Sequence, residues 1–339
     1  MKAKSKLFAL SLLAAIGIGS AGAADVYKFD IKTNAKGAEI SPTMYGLFFE
    51  DINYASDGGL YGEKVKNRSF DFPEPFMGWN TFGKVELRHD GPFDRNPNYI
   101  RLNPSGHREK HTGVENEGYF GIGVERDSTY RASFYARVPE GGSAKVRVEI
   151  ENPSARGESQ VIASKEVEVA GGDWKKYTAE LTADATDARA RLRIFLVKPE
   201  KSVDMEHISL FPKHTFKGHE NGLRADIAQH LADLKPGVMR FPGGCIVEGT
   251  DMATRYQWKN TVGPVENRPV NENRWHYTFP WRFYPDYYQS NGLGFFEFFQ
   301  FCDDIGAEPL PVLNVGLVCQ YQNNDMNAHC PVDSLQPFI

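Results

Sequence analysis

Basic charge is what this sequence is short of. Lysine and arginine number 39 against 44 aspartates and glutamates, a formal net charge of −5 over 339 residues. A nucleic-acid binder needs a basic face, and nothing in this balance marks such a partner. Cysteine is scarce as well. Cys245, Cys302, Cys319 and Cys330 all lie in the last hundred residues, too few to staple a chain of this length. Cys319 and Cys330 could pair in an oxidising compartment, and the sequence leaves that open. No Cys/His spacing matches a zinc site, and the adjacent His329 and Cys330 make a poor chelate, so neither a metal nor a cofactor is expected. No apolar run is long enough to span a membrane comfortably.

What is present begins at the N-terminus. Lys2, Lys4 and Lys6 precede the apolar "LFALSLLAAIGIG", and "SAGAAD" then supplies small residues. This reads as a secretory signal peptide over residues 1–24, cleaved near Ala23 or Ala24, and no cysteine follows to anchor a lipoprotein. A secreted or periplasmic product is expected. The 13% aromatic content suits either a protein that stacks on sugar rings or one with a large aromatic core.

The length allows about two domains, and three textures divide the remainder. Residues 25–72 open on the alternating "VYKFDI" and reach "MYGLFFEDI", a buried strand closing on Glu50 and Asp51. Residues 73–212 are short alternating runs such as "YRASFYARV" and "ARLRIFLV" between turn residues. They predict an all-β, jelly-roll-like sandwich with almost no helix. Residues 213–339 change again. Leu223, Ile227, His230, Leu231 and Leu234 have helical spacing, Lys235-Pro236-Gly237 ends that helix, and the strand "GVMRFPGG" follows. Phe295, Phe298, Phe299, Cys302 and Ile305 mark a second helical face, closed by Gly306 and followed by "PLPVLNVG". Helix, loop and apolar strand in repetition are the grammar of a parallel βα fold. The expected class is therefore α/β plus all-β: the N-terminal part of a (β/α)8 barrel, about three strands, interrupted by the sandwich. A whole barrel takes about 250 residues and eight strands. The chain closes on "CPVDSLQPFI", where Asp333 or Ser334 resembles a helix N-cap, so this is expected to be the first portion of a larger protein.

Reactive groups of parallel βα folds sit at the C-terminal ends of strands. That selects Glu50 and Asp51, Arg240 through Cys245, and Asn314 with Gly316. Glu50 could equally be a solvated loop acid. Arg240 could be an ion-pair partner of Glu50 or Asp51. Gly243 and Gly244 permit positive φ and close backbone approach, which suits a plain tight turn or a turn crowded against a ligand.

Four stretches, "SPTMYGLFFEDINYASDGGLYGEKVKNRSF", "MRFPGGCIVEG", "YQWKNTVGPVENRP" and "FFEFFQFCDDIGAEPLPVLNVG", resemble the α-L-arabinofuranosidases of glycoside hydrolase family 51. The inserted module resembles a carbohydrate-binding β-sandwich. The resemblance implies a retaining hydrolase that releases terminal non-reducing α-L-arabinofuranosyl residues from arabinan, arabinoxylan and their oligosaccharides. Such a mechanism uses two carboxylates about 5–5.5 Å apart. In the family one of them lies in an Asn-Glu pair. Asn116-Glu117 falls in the sandwich and Asn271-Glu272 in a loop, so the nucleophile and acid/base are both expected downstream of Ile339. By resemblance, Glu50 accepts hydroxyl hydrogen bonds from the furanose, and Arg240 holds the nucleophile's carboxylate. Cys245 borders the sugar, where it could also be a buried structural thiol, and Trp258 lines the mouth or packs in the core. Glu297 and Asn314 fall on the structural side. In the module, Trp79, Tyr99, Tyr119 and Phe120 are the candidate sugar platforms, each more readily explained as core.

The expected partners are arabinose-containing plant polysaccharides or oligosaccharides, with a homo-oligomer compatible with the full-length protein. The alternatives are a non-catalytic secreted carbohydrate-binding protein, or a xylan-directed barrel glycosidase of the same clan.

Overall fold

In "VMRF", Met239 and Phe241 alternate with Val238 and Arg240, so one face of the strand is fully apolar. The computed structural model, which describes residues 27–105, 111–153, 159–197, 200–278 and 287–336, uses that face to bind helices. The signal-peptide expectation lies outside the described residues. Residues 27–40 fall in a unit of their own. They are exposed and turn at Ile31–Ala35, so the described part of the "VYKFDI" alternation does not become a strand.

Strand β1 (Leu47–Phe48) comes first. Eleven strands follow among the described residues: β2 (Trp79–Phe82), β3 (Lys84–Arg88), β4 (Tyr99–Asn103), β5 (Gly113–Asn116), β6 (Ile122–Val124), β7 (Thr129–Arg137), β8 (Ser143–Asn152), β9 (Gln160–Ala170), β10 (Lys175–Thr182), β11 (Asp187–Leu196) and β12 (Val203–Pro212). They build two antiparallel sheets, ordered β10-β7-β12-β4-β3 and β2-β5-β11-β8-β9, with β6 paired to β11. Inward residues of both sheets, among them Ile100, Phe134, Ile150, Leu192 and Leu210, form one core, as an alternating pattern demands of a sandwich. No helix occurs among the described residues of 73–212.

Helix α1 (Ala225–Asp233) then leads to β13 (Val238–Phe241) and the single-turn α2 (Cys245–Glu248). The bridge pair β14 (Asn271–Glu272) and β15 (Tyr288–Gln289) flanks the short α3 (Trp275–Thr278). Helix α4 (Phe295–Ile305) and β16 (Glu308–Pro311) complete the order. β1, β13 and β16 form a parallel sheet in that order. Phe241 stacks on Phe298 of α4 at 4.7 Å and 13°, while Met239, Phe298 and Phe301 fill the core beneath.

Three details depart from the expected pattern. Phe299 is 43% exposed, and Phe301 takes the buried position against Phe216. The third strand ends at Pro311, so "VLNVG" is its exit loop. Asp333 and Ser334 lie inside a short 3-10 turn instead of capping a helix. The prolines of β16 have a physical place. Glu308 and Val312 donate to the carbonyls of Gly237 and Phe241, so Pro309 and Pro311 fall on the alternate, outward side, where an edge strand tolerates a missing donor.

The sheet's second face carries the row Phe48, Arg240 and Leu310 in register. Phe48 and Leu310 are 56% and 50% exposed.

Candidate active site

Glu50 stands two residues beyond β1. Its Oε1 accepts the Ile246 amide of α2 at 3.0 Å, which ties the exit of the first strand to the turn after the second. That turn holds a cis Phe241–Pro242 bond, then Gly243 at φ +148°. A Cβ on Gly243 would lie 2.5 Å from Glu50 Cγ and 2.5 Å from Ile246 Cγ2. Glycine is required there on both counts, because a side chain would be strained in backbone and would strike the carboxylate's stem. Gly243→Ala is expected to destabilise the fold by about 1–2 kcal/mol, measured as a lower urea midpoint; an unchanged midpoint would show that the turn relaxes freely.

Arg240 ends β13 on the open face of the sheet. Its guanidinium lies 4.4 Å from the centroid of the Phe48 ring, a cation–π contact. Among the described residues it has neither an ion pair nor a side-chain hydrogen bond. The ion pair with Glu50 or Asp51 offered by the sequence is therefore not formed. Cys245 opens α2 directly after the glycine turn and is half-buried. Burial raises its thiol pKa, against the lowering field of Arg274. A neutral thiol results at ordinary pH, a polar border rather than a nucleophile.

Asp51 does something the strand-end pattern did not show. It is buried and gathers four donors: the Ser56 amide at 2.9 Å, the Tyr287 hydroxyl at 2.7 Å, Gln289 Nε2 at 2.9 Å and Asn273 Nδ2 at 3.4 Å. Burial pushes its pKa up to about 6, helped by the charge of Asp57 and opposed by these hydrogen bonds. Asp57 in turn receives the amide and hydroxyl of Ser290 at 2.7 and 2.9 Å. The two aspartates pin the loop after β1 to the segment around β15. Asp51 is a structural hub beside Glu50.

Trp258 opens a 3-10 turn, stacks on Phe295 at 6.0 Å and 25°, and packs against the core beneath the parallel sheet. Its indole Nε1 is buried without a hydrogen-bond partner among the described residues. Glu297 accepts the Gly294 amide at the start of α4 at 2.9 Å and takes two 2.8 Å bonds from Arg268. Asn314 bridges the Val247 and Leu317 carbonyls at 2.8 and 2.9 Å and accepts the Gly316 amide at 2.7 Å, so it joins the third exit loop to α2. The four thiols are free, Cys319 and Cys330 included; Cys319 Sγ accepts from Arg274 at 2.8 Å. In the sandwich, Trp79 and Tyr99 are core, Trp79 donating to the Asn67 carbonyl at 2.8 Å and Tyr99 meeting Trp174 edge-on at 5.1 Å. Tyr119 is half-buried and Phe120 is 59% exposed. Among the described residues no His, Cys, Asp or Glu cluster could hold a metal ion.

Glu50, the Gly243 cradle, Arg240 and Cys245 thus converge at the C-terminal ends of two parallel strands. Comparison with known proteins gives this geometry a family. Residues 230–339 match the model of the α-L-arabinofuranosidase 1 domain, and residues 62–201 match a carbohydrate binding domain. An extracellular exo-α-L-arabinofuranosidase of Streptomyces chartreusis is 39% identical over 90% of this chain, and α-L-arabinofuranosidase 1 of Arabidopsis thaliana is 35% identical over 91%. The structure of an arabinose-bound GH51 α-L-arabinofuranosidase superposes with a TM-score of 0.75 at 31% identity, over 88% of this chain. The chain carries a match to the α-L-arabinofuranosidase 1 domain behind a match to a carbohydrate binding domain. It spans 37% and 44% of those two curated relatives and 47% of that solved chain. The sandwich interrupts the parallel strands between β1 and β13, so the residues that converge on Glu50 come from both sides of the segment that matches the carbohydrate binding domain.

Proposed function

We propose that the protein removes terminal non-reducing α-L-arabinofuranosyl residues from arabinan, arabinoxylan and their oligosaccharides by a retaining mechanism, and that this chain supplies the sugar-holding part of the site. The observation that carries the reading is Arg240: a guanidinium at a strand end, steadied by Phe48 and without a counter-ion among the described residues, beside an acid fixed by a glycine turn. An arginine in that state offers a planar pair of donors to a carboxylate. In this reading the carboxylate is the nucleophile of the retaining pair. Glu50 keeps one oxygen on the Ile246 amide and turns the other to furanose hydroxyls. Cys245 and the glycine turn shape the sugar's edge, and Trp258 supports the mouth from the core side.

The reaction divides two roles between the carboxylates. One attacks the anomeric carbon as the other protonates the departing oxygen; the second then deprotonates the water that releases arabinose. Arg240 keeps the attacking carboxylate ionised and aimed, and Glu50 positions the ring for it.

In this reading 1–24 is a signal peptide, 25–72 holds the first barrel strand, 73–212 is the sandwich, and 213–339 is part of a (β/α)8 barrel whose interior is the row Phe48, Arg240 and Leu310. The apolar leader supports secretion or a periplasmic location, and the Streptomyces relative is named as extracellular. Among the described residues no helix is long and apolar enough to cross a membrane.

The gene product, expressed from its native reading frame, is expected to hydrolyse an aryl α-L-arabinofuranoside and to spare the aryl β-xyloside. Glu50→Gln should lower kcat/KM roughly 10- to 100-fold, the loss of a hydrogen bond to a charged acceptor. Faster turnover of the xyloside would replace the substrate, and glycan binding without any turnover would leave a non-catalytic binding protein.

A further inference from the structure

A groove of about 930 Å³ lies between the sandwich and α1, and it shares no lining residue with the cluster of Glu50, Arg240 and Cys245. Its volume stands at the upper end of ligand sites, which run from about 300 to 1,000 Å³. That is room for several sugar rings in a row.

One wall is the edge of the sandwich, from Tyr119 through β6 to the start of β7; the other is the end of β12 with the start of α1. Tyr119 is held in place from behind. Its ring lies 5.7 Å from that of Tyr54, and a Cβ on Gly58 would come within 2.5 Å of its Cγ. Its hydroxyl has no hydrogen-bond partner among the described residues, although the ring is half-buried. Such a ring offers an apolar face and a free polar tip together. Below it, Ile122 and Val124 turn into the core and Gly123 faces outward, where a Cβ would meet no atom within 4 Å. The floor is flat and unobstructed.

The charges around it are mixed. Asp127 and Asp187 stand on the sandwich side, Lys213 and the Arg224–Asp226 pair on the other. Lys64 lies between them with its Nζ 5.5 Å over the Tyr130 ring and no carboxylate in ion-pair reach among the described residues. Both signs around an aromatic platform suit a ligand made of hydroxyls, each of which donates to a carboxylate and accepts from an ammonium. A polyanion would meet the acids.

We propose that the groove between the sandwich and α1 binds a neutral oligosaccharide segment of a plant polysaccharide, with the Tyr119 ring as its stacking platform, as a saccharide site separate from that of Glu50 and Arg240. The inference deepens the proposed function, because the choice of a plant polysaccharide rests on that reading. A long chain held here stays near the strand ends while single residues are cut.

Native affinity electrophoresis of the 339-residue chain tests this with soluble arabinoxylan, linear arabinan and polygalacturonate as the immobilised probes. Retardation is expected in a neutral glycan gel and not in polygalacturonate. Tyr119→Ala and Gly123→Leu, the second filling the floor without touching the core, should each weaken that retardation at least fivefold. Gly123→Leu keeps the wild-type melting midpoint, so it carries the test should Tyr119→Ala fail to fold. Wild-type retardation in a folded Gly123→Leu protein would overturn the groove and leave the arabinofuranosidase reading standing. No retardation in either neutral gel would overturn the groove, whereas activity on the aryl arabinofuranoside would still uphold the reading. Retardation confined to polygalacturonate would overturn the neutral ligand.

Discussion

Replacing Arg268 with alanine is expected to cost about 3–5 kcal/mol of folding stability, the range for breaking a buried ion pair from one side. Arg268 is 4% exposed and spends its fork completely. Two 2.8 Å bonds go to the carboxylate of Glu297. Others reach the carbonyls of Gly263, Asn291 and Gly292 at 2.9 to 3.1 Å. The loop holding Trp258 and the approach to α4 are therefore fastened at one point. Alanine strands Glu297 and three carbonyls at once, and each lost partner leaves a poorly solvated polar group. Arg268→Lys should recover less than half of the loss, because an ammonium cannot span a bidentate carboxylate and two carbonyl directions together. Urea midpoints with an unchanged m-value would measure this. A loss under about 1 kcal/mol for the alanine variant would mean that the loop finds other partners.

Arg268 also shows where sequence reading stops. "NRP" inside a loop gives no sign that its arginine is buried, since burial there comes from contacts 23 to 29 residues onward. The parallel strands were legible, because alternation in "VMRF" and an apolar run before Glu50 each carry their own period. The crowding at Gly243 was legible only in part: the glycines suited a plain tight turn or one against a ligand, and the neighbour is Glu50. The Asp51 hub was not. Its partners Asn273, Tyr287 and Gln289 lie more than 220 residues away in sequence, beyond the sandwich. The exchange of Phe299 for Phe301 has a different origin. Helix α4 carries five phenylalanines in seven positions, so hydrophobicity alone fails to choose its inner face, and the position of Phe216 settles it.

The sandwich offers the second large effect, in two buried acids of β12 with opposite fates. Asp204 is fully buried and doubly paired, with Arg101 at 2.6 and 2.9 Å and Arg137 at 2.9 Å. Asp204→Ala leaves two arginines without their shared carboxylate and is expected to cost about 3–5 kcal/mol. Glu206, two residues on and also fully buried, has no partner for either oxygen among the described residues. Burial holds its pKa well above the usual carboxylate range, reinforced by Asp71 and Glu266 and only partly offset by Arg68. The folded state therefore keeps a proton that the unfolded chain gives up near pH 4. Its contribution is complete below that pH and is lost as pH rises towards the folded value. Asp71, pushed up to about 7 by burial, adds a loss of the same sign. His207, buried and held well below its usual value, opposes them, since its protonation in the unfolded chain weakens the fold below about pH 6.5. The wild-type profile mixes all three, so the difference from Glu206→Gln is the quantity to measure. The variant should match wild type at pH 4.5 and exceed it at pH 8, where the unfolded wild-type chain has given up a proton that glutamine does not carry. Equal stability at pH 8 would mean that water or a cation reaches Glu206, and its burial would then not be what sets its charge.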